Sequence, residues 1–243
     1  MKVNETTAIS TSRVLLVPYD SHHVPTYHDW MEDEAVRVAT ASDRLTLAEE
    51  YENQVEWRAA ADKLTFVLCR PLGERDESSS GGVVAGVDDV PSRMVGDINF
   101  FLHVWDDEDD NDEDHGGTVV LYSGEVDVMI ARAEDRGQGF GRAAVTALLY
   151  FVLQRHREAI LAEAAAGAGA GTGARAGKLR RLVVKIQATN TASIGLFTGL
   201  GFQQRGSVNY FGEVELVQDI VDGGQVPEGY AELEYIRRER VKD

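Results

Sequence analysis

Two hydrophobic rhythms meet near the middle of the chain. In Gly124–Ile130, Val126, Val128 and Ile130 fall on one face and Glu125, Asp127 and Met129 on the other, the period-two pattern of a strand. Farther on, Val145, Leu148, Leu149 and Val152 recur at i, i+3, i+4 and i+7, one stripe of an α-helix. Read the same way, the whole chain predicts a strand over 13–18, helices within 23–39 and 46–60, and a strand over 64–69. Strands over 95–102 and 121–131 follow, then a helix over 139–161, a strand over 181–188, a helix over 191–199 and strands over 202–210 and 213–218. Thr46-x-x-Glu49 is a capping box opening the second of the early helices. Strands come first and helices alternate late, so the fold class is α/β, a mixed sheet in one domain spanning 1–243.

Three segments carry no such rhythm and read as low-complexity loop insertions: 71–93, 104–120 and 162–178. The first centres on Ser78-Ser79-Ser80-Gly81-Gly82, and the third holds eight Ala and five Gly between Ala162 and Gly177. Residues 106–114 contain eight acidic groups in nine positions, so the net charge of −17 falls to −9 without them. Such a run reads as a solvated loop, and it lacks the glycine and spacing of a calcium loop. No basic cluster suits nucleic acid, no apolar run spans a membrane, and 43% hydrophobic residues can build a core. The single cysteine, Cys69, lies in an apolar run, which predicts a buried thiol and a reducing setting, cytoplasmic or nuclear. His22, His23 and His28 have no cysteine or second cluster beside them; they read as exposed helix-start residues, and no metal is expected.

The candidate chemistry sits where the two rhythms join, at Arg136-Gly137-Gln138-Gly139-Phe140-Gly141. Three glycines there let the backbone turn sharply and present successive N–H groups at a helix N-terminus, a site for phosphate or pyrophosphate. No Lys follows Gly141 as a P-loop requires, and the Gly-x-Gly-x-Gly spacing is not the dinucleotide fingerprint. Arg-x-x-Gly-x-Gly instead resembles the pyrophosphate loop of the GCN5-related N-acetyltransferases (GNAT). A second segment, Asn190-Thr191-Ala192-Ser193 running to Gly201-Phe202 after the apolar strand Leu182–Ile186, resembles that family's Asn-x-x-Ala/Ser motif. Val14–Pro18 with Tyr27, Trp30 and Met31 is similar to the opening of the ribosomal-protein-type branch. Leu45-Thr46-Leu47, Glu50-Tyr51, Met94–Asp97 and Gly124–Ile130 resemble the N-acetyltransferase 9-like members.

The resemblance implies a GNAT acyltransferase fold with acetyl-CoA as acetyl donor and no metal. It implies a coenzyme site at Met129, Ile130, Arg136, Gly137, Gln138, Gly139, Phe140, Gly141, Arg142, Asn190, Ser193 and Phe197. Arg136 and Arg142 would pair with the phosphates. Where many members carry a proton-donating tyrosine this chain has Phe197, so Ser193 takes the role of acid. The base is expected at Glu213 first and Glu125 second, with Asp127 sharing the polar face of Glu125's strand and Asp97 the weakest candidate. The implied function is acetyl transfer to a primary amine, a protein N-terminus or lysine, with tubulin an acceptor in view. A catalytically silent acyl-CoA-binding or scaffold protein and a small-molecule amine acetyltransferase are the alternatives.

Overall fold

The alternation of β-branched and aromatic residues with polar ones builds a sheet whose two faces are covered by different helices. The computed structural model describes residues 1–73, 81–105, 120–167, 177–220 and 223–237. Among them the strands are β1 (Thr7–Ser10), β2 (Leu15–Pro18), β3 (Lys63–Cys69), β4 (Gly82–Val84), β5 (Met94–Val104), β6 (Val120–Ile130), β7 (Gly177–Gln187), β8 (Gln203–Arg205), β9 (Glu213–Asp219) and β10 (Ala231–Ile236). The helices are α1 (Val24–Met31), α2 (Glu34–Thr40), α3 (Leu47–Ala59), α4 (Phe140–Tyr150), α5 (Arg157–Gly167) and α6 (Thr191–Thr198). The sheet runs β4-β10-β1-β2-β3-β5-β6-β7-β9-β8 and is antiparallel except at β4–β10 and β6–β7. It is a mixed α/β sheet, as the sequence predicts.

One face packs Leu64, Phe66 and Leu68 of β3 and Phe100 of β5 against Val145, Leu148, Phe151 and Val152, all buried. Each such side chain contributes about 1.5–3 kcal/mol of hydrophobic stabilisation. The other face packs Val67, Cys69 and Met129 against Val24, Trp30, Met31 and Val36. Burial pushes the Cys69 thiol well above its ordinary value, so it is inert packing, as expected. On that second face the middle of the sheet turns polar, at Asp97, Asn99 and Asp127. Gly96 is obligatory at its edge, because a Cβ there would land on the carbonyl oxygen of Met129 in the adjacent strand.

Several expectations are corrected. The helix expected over 139–161 is broken: α4 passes into a wide turn at Phe151–Arg155 and α5 restarts after His156. The break lets Arg155 and His156 reach the Glu232 carboxylate on β10, at 3.1 and 2.7 Å. β4 lies inside the segment 71–93, β5 ends at Val104 and β6 begins at Val120, and α5 extends to Gly167 with β7 beginning at Gly177, so the regular structure enters all three expected insertions. The acidic run 106–114 lies outside the described residues. β8 is shorter than the strand expected over 202–210, while the Thr46–Glu49 capping box is present at the start of α3.

His23 is fully buried rather than exposed. Asp89 Oδ2 accepts from His22 Nε2 at 3.1 Å, from His23 Nε2 at 3.0 Å and from the Tyr235 hydroxyl, while Oδ1 accepts the Gly86 N–H at 2.6 Å. The ligand atoms of His22, His23 and Asp89 lie within 4.8 Å of one another, a spacing that invites a cation. His23 Nδ1, however, accepts the Asp20 N–H at 3.1 Å, which puts the ring proton on Nε2 and aims it at Asp89. The cluster is therefore a hydrogen-bonded tie between β10, the turn before α1 and the segment after β4.

Burial pushes the Asp89 carboxyl up, but the bonds from the two histidines and Tyr235 outweigh it and hold it far below the usual range. Burial likewise lowers His23, against the pull of Asp89. Both folded values lie below the unfolded ones, so the unfolded chain binds more protons in acid. The stability from this cluster is complete above about pH 6.5 and is lost as pH falls. Asp89→Asn, which removes the charge and turns an amide against the donors, is expected to cost about 3 kcal/mol in urea unfolding at neutral pH. An unchanged midpoint contradicts this account.

Candidate functional site

β6 and β7 run parallel and hydrogen-bonded from Val120 and Gly177 only as far as the pair Glu125–Val183. Beyond it β6 stays paired with β5 up to Ile130, and β7 with β9 up to Gln187. The strands part like a fork, leaving the inner edges of 126–130 and 184–187 without ladder partners. Lys185 Nζ reaches back across the fork to Glu125 Oε2 at 2.7 Å. A slender element can lie between the strands and hydrogen-bond to either.

The glycine loop closes the wide end of the fork. Gly137 and Gly139 have φ of 73° and 86°, a region L side chains rarely adopt. Gly139 is the N-cap of α4 and offers no side-chain cap; the first intrahelical bond is Ala143 N–H to the Gly139 carbonyl. The N–H groups of Phe140, Gly141 and Arg142 therefore have no backbone partner among the described residues and face a groove of about 750 Å³. Arg136 braces the turn, its Nε and Nη2 donating to the Ile130 and Ala131 carbonyls at 3.0 and 2.9 Å. These open amides, beside a groove of that volume, fit the phosphates of a coenzyme A moiety.

At the narrow end of the groove a second cavity of about 210 Å³ opens toward α1 and α3. Val128, Met129, Gln187, Asn190 and Ser193 line both, so they mark the junction. Asn190 caps α6, its Oδ1 accepting the Ser193 N–H at 3.1 Å, which fixes Ser193 at that junction. Asp97, Glu125, Asp127 and Glu213 all line the smaller cavity.

Their environments differ. Glu125 is held by Lys185, with His103 Nε2 at 3.4 Å. Glu213 accepts from Asn209 Nδ2 at 3.1 Å near the rim. Asp97 is buried and receives Asn99 Nδ2 at 3.0 Å and the Tyr27 hydroxyl at 3.3 Å; burial pushes it up to about 6 against those bonds. Asp127 opens into the cavity, yet protein walls it closely enough that burial raises it. The charges of Glu125 and Asp97 add to the rise, and Lys185 opposes it, leaving the carboxyl at about 7.

The fold thus brings the expected residues to one place, with three differences in detail. Phe197 is buried against Phe202 and lines the smaller cavity, not the groove. Gln138 turns away, donating to the Glu134 carbonyl, and Arg142 Nη1 donates to the Gly199 carbonyl at 3.3 Å. Lys185, Gln187, Trp57 and Tyr27 complete the smaller cavity and were not singled out for chemistry by sequence. Lys185 stands on an apolar strand, and only its partner 60 positions away gives it a role.

The model of the acetyltransferase (GNAT) domain family matches residues 13–203. The alpha/beta-tubulin-N-acetyltransferase 9 of Drosophila melanogaster is 37% identical over 90% of each chain. An N-acetyltransferase 9-like protein of Dictyostelium discoideum is 34% identical, over 89% of this chain and 86% of its own. The fold is shared with a Vibrio cholerae spermidine N-acetyltransferase solved with CoA and spermine. The TM-score is 0.52 and the identity 10%, over 89% of this chain and 96% of that one. By that family model and those relatives, the chain belongs to the GNAT family of acetyl-CoA-dependent N-acetyltransferases.

Proposed function

We propose that this chain acetylates the α-amine of a protein N-terminus, with Asp127 accepting the amine's proton and Ser193 serving the departing sulfur. Acetyl-CoA, when bound, supplies the acetyl group as a thioester. The observation that carries the reading is Asp127 beside the junction of the two cavities, at about 7. A base near 7 is poised at the operating pH, and a free α-amine, titrating at roughly 7.7–8.0 against roughly 10.4 for a lysine, offers it more neutral nucleophile there. The carboxylates around Asp127 also favour a cationic acceptor.

Glu125 is already neutralised by Lys185, and Glu213 stands at the rim, where it would meet the acceptor rather than the thioester. Phe197 has no proton to give, whereas the Ser193 hydroxyl lines the junction without a side-chain partner among the described residues. The names of the relatives support a tubulin chain as the first acceptor to try. The buried Cys69 fits a reducing, cytoplasmic setting.

Gly139→Asp, placing a side chain and a negative charge on the loop amides, is expected to abolish CoA binding in calorimetry while leaving the chain folded. Retained affinity would remove the groove from the account. Asp127→Asn is expected to lower kcat by ~10²–10⁴-fold and to flatten the rise in rate through about pH 7, with little change in CoA affinity. If Asp127→Asn is fully active and Glu213→Gln is not, the base is Glu213. Asp97→Asn removes a like charge from Asp127, so the acidic limb of the profile should move to lower pH.

A further inference from the structure

Strand pairing brings the ends of β2, β3, β5 and β6 into one row beside the glycine loop: Leu15 pairs with Cys69, Cys69 with Met94, and Gly96 with Ile130. The residues flanking that row are cationic: Arg13, Arg70, Arg93 and Arg132. In a chain of net charge −17 such a concentration is what a strongly anionic ligand requires.

Most of the guanidiniums near the loop are already committed. Arg70 pairs with Asp135 and lies 5.6 Å from the Phe140 ring centroid. Arg93 donates to the Arg70 and Pro71 carbonyls at 2.9 and 2.6 Å. Arg136 braces the end of β6, and Arg142 reaches Gly199.

Arg13 differs. Its backbone is pinned in the β1–β2 turn, where Thr11 Oγ1 accepts the Arg13 and Val14 N–H groups at 3.2 and 3.0 Å and Ser12 N–H donates to the Glu228 carbonyl at 2.9 Å. Its guanidinium has no hydrogen bond or ion pair among the described residues. Nη1 stands 3.7 Å from where a Cβ on Gly139 would be, over the N-cap of α4.

Resting on the coenzyme reading of the groove, we infer that Arg13 is a specificity residue for the 3′-phosphate of coenzyme A. The amides of 140–142 face the groove and take the pyrophosphate. Arg13 Nη1 stands over Gly139, the N-cap before those amides, so it is within reach of a phosphate next to the pyrophosphate. On coenzyme A the phosphate that branches away from the pyrophosphate is the one on the ribose 3′-oxygen. A guanidinium held by a rigid turn and free of competing carboxylates presents a fork of donors to it.

The test is calorimetric titration of the full chain with CoA and with dephospho-CoA at low salt, for wild type, Arg13→Ala and Arg13→Gln. Wild type is expected to bind CoA about tenfold more tightly than dephospho-CoA, a difference that shrinks with added salt. Both variants should lose that difference, binding CoA about tenfold more weakly and dephospho-CoA as wild type does. Because Arg13 makes no internal side-chain bond, their melting temperatures should match wild type. A wild type that does not distinguish the two ligands overturns the inference. Variants that keep the distinction, or that weaken both ligands alike, overturn it too, and all three results leave the coenzyme site standing. A wild type that binds neither ligand overturns the coenzyme reading and Arg13's role together.

Discussion

β6 and β7 hold together through the pair Glu125–Val183 and then part, and the working half of the molecule is organised by that separation. Backbone groups freed on the inner edges must find partners, which a ligand lying between the strands can supply. The loop after β6 must then turn sharply into α4, which requires positive φ at Gly137 and Gly139 and leaves the first amides of the helix open. The turn after β7 starts α6 with Asn190 as its cap, so Ser193 stands opposite the end of β6. Lys185 bridges the fork at its crotch and neutralises Glu125, so the carboxylate next to the junction on β6 is Asp127.

Charge divides the site into two halves. The groove end is built from amides and guanidiniums, in a chain that is otherwise acidic. The smaller cavity is lined by Asp97, Glu125, Asp127 and Glu213, of which Lys185 compensates one. Crowded carboxylates in a walled space cannot all ionise, and Asp97 and Asp127 are the two pushed upward. A cavity of this kind attracts an ammonium and holds a group able to take its proton near neutral pH.

Much of this was legible in the chain. The glycine loop, the Asn190 segment, the alternation of 124–130 and the Thr46 capping box are local patterns, and local geometry realises them. What was not legible depends on partners far away. β10 reads as polar, because Glu232 is spent on Arg155 and His156, 77 and 76 positions distant. That same contact accompanies the break in the helix expected over 139–161. β1 and β4, of 4 and 3 residues, are too short to show a period and exist through pairing with β10. His23 looked like a surface residue because Asp89, its partner, lies 66 positions on. Asp127 and Glu125 share a face in sequence; only Lys185 and Asp97 tell them apart.

The central claim is that the site is tuned to an α-amine. It is tested most directly by kcat/KM at pH 7 for two matched peptides, one with a free N-terminus and its lysine blocked, the other Nα-blocked with a free lysine. The account predicts a preference of roughly a few hundredfold for the free N-terminus, the difference in neutral amine between the two groups at pH 7. Equal rates, or preference for the lysine, would contradict it.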